Sequence, residues 1–223
     1  MSNDPYEHDV FDVNGSPLRL TALGHSTLMW EWKGQVLHLD PWTAKADYTK
    51  LPRADFILVT HEHPDHLDKN AIQMLKKTQT RLLVNPAVRA ILGEGEALAN
   101  HDRLDLGTFQ VEAVPAYNIT PGREMFHPKG RDNGYLLTFD GLRVLIAGDT
   151  EDHEELRSLR SVDIAFLPMN QPYTMTPEQV ASAARALRPK ILFPYHFGET
   201  DPQKLVLLLE KEKSIEVRVR RLA

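Results

Sequence analysis

A chain of 223 residues can bury a substantial core without covalent staples, so one domain over residues 1–223 is expected. With 26% charged and 42% hydrophobic residues its composition is that of a globular protein rather than a disordered or membrane one. The formal net charge of −5, with acids and bases interspersed, offers no basic field for nucleic acid, and the lack of cysteine excludes disulfides, thiolate catalysis and sulfur-ligated metals.

Residues 1–16, MSNDPYEHDVFDVNGS, are polar and lack the apolar core of a signal peptide, and no later run approaches a membrane span. A cytoplasmic protein without a membrane partner is therefore expected. Alternation and β-rich content predict strands over 18–23, 27–32 and 35–40, with Lys33-Gly34 as a turn. A strand over 56–60 follows, then a helix over about 69–77, a strand over 81–85 and a helix opened by Pro86. A second series predicts strands at 109–115, 134–139, 142–148, 163–168, 190–195 and 215–220, with Asp140-Gly141 as a turn. Thr176 before Pro177, with Gln179 three residues on, predicts a capping box for a helix reaching about Leu187, and Asp201-Pro202 opens the last helix. The carboxy-terminal EVRVRRLA alternates Val with Arg as a strand with one solvated face does. Two runs of antiparallel strands, each with helices attached, predict an α/β fold in which two mixed sheets pack face to face with helices on the outer faces, a four-layer αββα sandwich.

The segment THEHPDHLD over 60–68 places three histidines, two aspartates and a glutamate directly after an apolar strand. Strand ends in α/β proteins aim loop side chains into a crevice, and a mixed imidazole and carboxylate cluster suits zinc, manganese, iron or nickel. His61 and His63 can face one ion while Asp65 and His66 turn toward a second. Three further stretches place a His or Asp at a strand end: HLDP at 38–41, GDT at 148–150 and YHFG at 195–198.

In this ordered set the chain resembles the metallo-β-lactamase superfamily of metal-dependent hydrolases, and within it the small hydrolases allied to L-ascorbate-6-phosphate lactonase. Asp40, His61-x-His63-x-Asp65-His66, Asp149 and His196 match four of the superfamily's five motifs. The resemblance implies that His61 and His63 hold one metal, that Asp65 and His66 hold another, that Asp149 bridges both and that His196 completes the second site. The remaining ligand of the first metal is usually a histidine just after the strand at 109–115, where this chain has AYNIT. Asn118 in that stretch and His127 in the following loop are the candidates, and His127 is preferred because imidazole is the stronger ligand.

Asp40 reads better as a carboxylate orienting a ligating imidazole than as a ligand itself. His25, in GHST, has either a local structural role or one beside the ligands. His8, His38, His101 and His153 stand outside any pattern and read as surface or internally satisfied histidines.

Two divalent ions, zinc foremost with manganese, iron or nickel as alternatives, would share a bridging water and make hydroxide available at neutral pH. Asp65 is then the proton acceptor, and the expected activity is hydrolysis of a small-molecule ester, lactone or phosphoester. Tyr173 and Met175 are candidate pocket walls, and Arg123, Lys129 and Arg131 around His127 hint at an anionic substrate. A nuclease is disfavoured by charge and by the lack of room for an added clamping domain. The competing reading is a non-hydrolytic di-metal redox or metal-binding protein. Its di-iron form resembles sites with Glu where this chain has His63.

Overall fold

The computed structural model describes residues 5–223. Its first sheet runs in chain order through β1 (Glu7–Val13), β2 (Ser16–Gly24), β3 (Thr27–Trp32), β4 (Gln35–Leu39), β5 (Phe56–Val59), β6 (Arg81–Val84) and β7 (Glu96–Ala97). The first four strands are antiparallel and the last three continue in parallel from β4. Helix α1 (Lys69–Leu75) joins β5 to β6 and α2 (Pro86–Leu92) joins β6 to β7, as parallel strands require a crossover.

The second sheet repeats this plan. Its order is β8 (Arg103–Asp105), β9 (Gln110–Ala116), β10 (Asp132–Phe139), β11 (Leu142–Ile146), β12 (Ile164–Pro168), β13 (Ile191–Tyr195) and β14 (Glu216–Val217). Strands β8 to β11 are antiparallel and β11 to β14 parallel, with α3 (Glu154–Ser158), α4 (Pro177–Leu187) and α5 (Gln203–Leu208) in the crossovers.

Strand β5 shows how period 2 builds the layers. Phe56 and Leu58 join the core shared by both sheets, whereas Ile57 and Val59 pack with Ala71, Ile72, Leu75 and Val88 of the two covering helices. Between the sheets Trp30 is fully buried, its ring 6.2 Å from Phe11, 6.2 Å from Phe139 and 5.9 Å from Phe166. The architecture is the four-layer αββα sandwich. Among the described residues no helix is long and apolar enough to cross a membrane.

The capping box at Thr176 forms in both directions: the Gln179 amide donates to Thr176 Oγ1 at 3.2 Å and the Thr176 amide to Gln179 Oε1 at 2.8 Å. One strand was not expected, and two expectations need correction. The polar amino-terminal stretch contains β1, whose alternation buries Asp9, Phe11 and Val13. The carboxy-terminal strand is two residues long, and its arginines are not a solvated face: Arg218 and Arg220 converge on the buried Asp9 carboxylate at 3.0 and 2.7 Å, tying the chain end to β1. Met175 is fully buried in the core rather than a pocket wall.

Candidate metal centre

Asp40 sits one residue past β4 with a left-handed φ of 42°, and the turn points its carboxylate under the loop that follows β5. There it accepts three hydrogen bonds while fully buried: from the Thr60 amide at 2.8 Å, the Thr60 hydroxyl at 2.7 Å and His66 Nδ1 at 2.8 Å. Because a carboxylate only accepts, His66 carries a proton on Nδ1, which leaves Nε2 as the nitrogen that can face an ion. The Thr60 hydroxyl, having given its proton to Asp40, accepts from His61 Nδ1 at 3.0 Å, so neutral His61 turns a bare Nε2 inward. One buried carboxylate thus sets the tautomer of two histidines.

A second carboxylate does the same for His127. Its Nδ1 donates to Asp132 at 3.1 Å, and the fully buried Asp132 is itself held by Arg131 at 2.7 Å. His127 lies in a loop that folds back on Asn118, whose amide nitrogen donates to His127 O at 2.9 Å and whose side chain donates to Tyr173 O at 2.8 Å and Arg123 O at 3.2 Å. Asn118 closes the neck of the loop that delivers His127. Buried Glu151 supports the same loop by accepting from the Ile119 and Thr120 amides at 2.8 and 2.7 Å. Asn85, the cap of α2, donates to Thr60 O and Arg131 O and so joins the two histidine-bearing loops.

Asp149 follows Gly148, whose φ of 67° and approach to Asn133 leave no room for a side chain; a Cβ there would lie 2.6 Å from Asn133 O. Asp149 oxygens lie 3.5 Å from His127 Nε2, 3.6 Å from His66 Nε2, 3.4 Å from His196 Nε2 and 4.0 Å from His61 Nε2. His196, just after β13, also adopts a left-handed φ, of 46°, and its Nε2 is 3.4 Å from Asp65 Oδ2. The structure therefore brings His61, His63, Asp65, His66, His127, Asp149 and His196 into one cluster.

The donor set fits metal ions. His61 Nε2, His66 Nε2, both ring nitrogens of His196 and Asp149 Oδ1 are buried without a hydrogen-bond partner, an expensive arrangement in a protein interior unless something binds them. Donor atoms of His61, His63 and His127 lie within 4.8 Å of one another, as do those of His61, His66 and Asp149, and those of His25, Asp65, His66 and His196. Zinc–nitrogen bonds of about 2.0–2.1 Å at tetrahedral angles put the ring centres of two imidazoles on one ion about 5 Å apart. His61, His63 and His127 are spaced at 4.6, 5.0 and 4.9 Å, and His66 and His196 at 5.2 Å.

The cluster's electrostatics follow from burial and crowding. Burial, with imidazole neighbours on three sides, pushes His61 well below the usual histidine range, and burial beside His127 lowers His63. Burial alone would lower His66 too, but Asp149, Asp40 and Asp65 around it prevail and raise it to about 9. Burial would raise both acidic members; instead His196 and His25 hold Asp65 far below the carboxylate range, and His196, His66 and His127 lower Asp149. Asp65, a third of whose side chain is exposed, and the half-buried His63 form the open side.

The remaining assignments divide. His25 is in the cluster, donating to Asp65 at 3.0 Å. Tyr173 is 45% exposed and its ring meets Phe126, the neighbour of His127, at 5.1 Å. The three cations that hinted at an anionic substrate all face acids: Arg123 lies 3.5 Å from Glu151, Lys129 2.7 Å from Glu155, and Arg131 2.9 Å from Glu62. Of the histidines outside the pattern, His38 is buried and donates to Pro52 O, His153 caps α3, His8 meets Thr21, and His101 lies 3.6 Å from Glu155. Thr60, Asp132, Glu151 and Asn85 went unread in the sequence. For Thr60 the signal was its place between strand and histidines; the other three had none.

Comparison with known proteins agrees with this geometry. Residues 19–196 match the family described as β-lactamase superfamily domain. A protein of Koribacter versatilis named a UPF0173 metal-dependent hydrolase is 32% identical over 92% of this chain and 94% of its own. A crystal structure from Parabacteroides distasonis, named provisionally as a metal-dependent hydrolase, superposes with a TM-score of 0.96 at 50% identity over 98% of this chain and all of the other. Igni18, described as a metallo hydrolase of Ignicoccus hospitalis, superposes at 0.78 with 26% identity over 92% of this chain and 96% of its own.

Proposed function

The chain belongs to the metallo-β-lactamase superfamily of metal-dependent hydrolases, and from that premise we propose that it cleaves a small-molecule ester, lactone or phosphoester at a centre holding two divalent ions, zinc foremost. The observation that carries the reading is the set of buried ring nitrogens and carboxylate oxygen that converge without partners. His61, His63 and His127 would hold one ion, Asp65, His66 and His196 the other, and Asp149 would serve both. When bound, such ions supply Lewis acidity and a water acidic enough to ionise near neutral pH.

The chain's own groups do the rest. Asp40 and Thr60 keep His61 and His66 in the tautomer that exposes Nε2, and Asp132 does so for His127. Asp65, held ionised by His196 and His25, is the one carboxylate of the cluster open to solvent, and this access makes it the group that takes the proton of the attacking water on a carboxylate oxygen. Arg123, Lys129 and Arg131 of that loop face Glu151, Glu155 and Glu62, so the positive charge that would attract an anionic substrate is partly neutralised there.

Metal analysis joined to a screen of lactones, phosphodiesters and phosphomonoesters tests the reading. Turnover in one class, lost at least ~100-fold in Asp65→Asn, is the expected result, since that is the lower range for a positioned general base. Stoichiometric metal with no turnover in any class would instead favour the non-hydrolytic metal protein.

A further inference from the structure

His25 directly follows β2 and belongs to neither proposed ligand set, yet it is 8% exposed and turned inward by a left-handed φ of 55°. Its Nε2 lies 3.0 Å from Asp65 Oδ2, and since a carboxylate can only accept, His25 donates. Its ring centre is 3.8 Å from that of His196, and its carbonyl accepts the His196 amide at 3.2 Å. The Trp42 ring centre lies 5.3 Å from that of His25. It therefore touches two of the three residues assigned to the second ion alone.

The spacing argues against His25 as a further ligand. Imidazoles sharing one ion stand about 5 Å apart, whereas His25 stands 3.8 Å from His196 and 6.0 Å from His66. We infer that His25 is a positioning residue of the second metal site: its Nε2–H fixes the rotamer of Asp65, and its ring and carbonyl fix the plane and backbone of His196. The inference rests on the two-metal reading given above. Asp65 needs such a partner because it sits in a loop with part of its side chain in solvent, where an unheld carboxylate would lose rotamer freedom on binding. The first site has its own support in Thr60 and Asp132, so the two sites respond differently to His25.

Two substitutions separate donor from bulk. His25→Asn suits the left-handed backbone, but its shorter amide cannot reach Asp65. His25→Gln places an amide nitrogen near the position of Nε2. Calorimetric titration with Zn2+, beside the visible spectrum on titration with Co2+, should show the second ion bound ~10–100-fold more weakly in His25→Asn, the range for a lost outer hydrogen bond. The first site should stay unchanged, and His25→Gln should recover most of the affinity and the parental second-ion spectrum. A second site of parental strength in His25→Asn would overturn the inference alone. Equal losses at both sites, or in both variants together with a fallen melting temperature, would also overturn it, because they mark a packing role. Parent protein that takes up only one ion would overturn both this inference and the two-metal reading.

Discussion

Replacing Asp40 by asparagine changes almost no volume yet should disturb one proposed ligand of each of the two proposed ions. Oδ1 of Asp40 accepts the Thr60 amide, while Oδ2 accepts both the Thr60 hydroxyl and His66 Nδ1. If the asparagine oxygen keeps the amide bond, its NH2 group faces a donor at His66 Nδ1. Relief requires His66 to move its proton to Nε2, the atom that should face the metal. The Thr60 hydroxyl, now accepting from the asparagine, is no longer anchored by a charge and holds His61 less firmly. Loss of a tautomer-fixing partner costs typically ~10–100-fold in metal affinity, and since a proposed ligand of each ion is affected, both binding steps of the two-metal reading should weaken by about that much. The metal-free protein should lose about 1–3 kcal/mol as well, the cost of a buried group left unsatisfied. Zinc titration gives the first quantity, denaturant unfolding of metal-free protein the second, and nitrogen NMR of the His66 ring the tautomer. Parental affinity at both sites with a proton on His66 Nε2 would refute the argument that tautomer control is what Asp40 contributes.

Asp149→Ala should weaken both ions together, since its oxygens face histidines of both sets at 3.4 to 4.0 Å; unchanged metal content would remove it from the site. His127→Ala should reduce first-site affinity more than the ~10–100-fold typical of an outer-sphere change, whereas Asn118→Ala should act more weakly by loosening the loop neck; the reverse ranking in metal titrations would make Asn118 the ligand. His38, lowered to about 4 by burial, stays neutral in the folded protein while the unfolded chain takes up a proton below about 6.5. Its contribution to stability is therefore lost as pH falls from about 6.5 toward 4, about 2 kcal/mol between pH 7 and pH 5, and denaturant unfolding of His38→Gln should show that much less acid sensitivity.

How much of this was legible in the sequence depends on whether the information is local. Thr27–Trp32 and Pro177–Leu187 are bounded by residues that act on their own neighbours, a Lys-Gly turn and a capping box, and the structure begins and ends these elements where those signals stand. The histidine cluster was readable for the same reason, because four motifs each lie at a strand end. Strand β1 was hidden because its alternation carries Asp9 on the buried face, and a buried aspartate makes sense only once Arg218 and Arg220 arrive from the far end of the chain. Asp132 was hidden likewise: nothing local distinguishes it from any loop acid until the loop closes and sets it against His127.

The repeated topology explains where the cluster had to form. In each half four antiparallel strands lead into three parallel ones, and the parallel strands end beside their crossover loops. His61, His63, Asp65 and His66 leave the end of β5 in the first half, while Asp149 leaves β11 and His196 leaves β13 in the second. With the two sheets packed face to face, loops at the same edge of both halves meet across the seam, so residues some 135 positions apart in a 223-residue chain, His61 and His196 among them, share one centre. His127 is the exception, since it comes from the long connection between antiparallel β9 and β10 and needs Asn118, Glu151 and Asn85 to bring that loop back. The proposed ligand with least support from its own strand therefore depends most on polar contacts. The first site should be the one that loosens when Glu151→Gln weakens the two amide bonds at Ile119 and Thr120, with the second site left intact in the same zinc titration. Equal weakening of both sites would mean that the loop does not act on His127 alone.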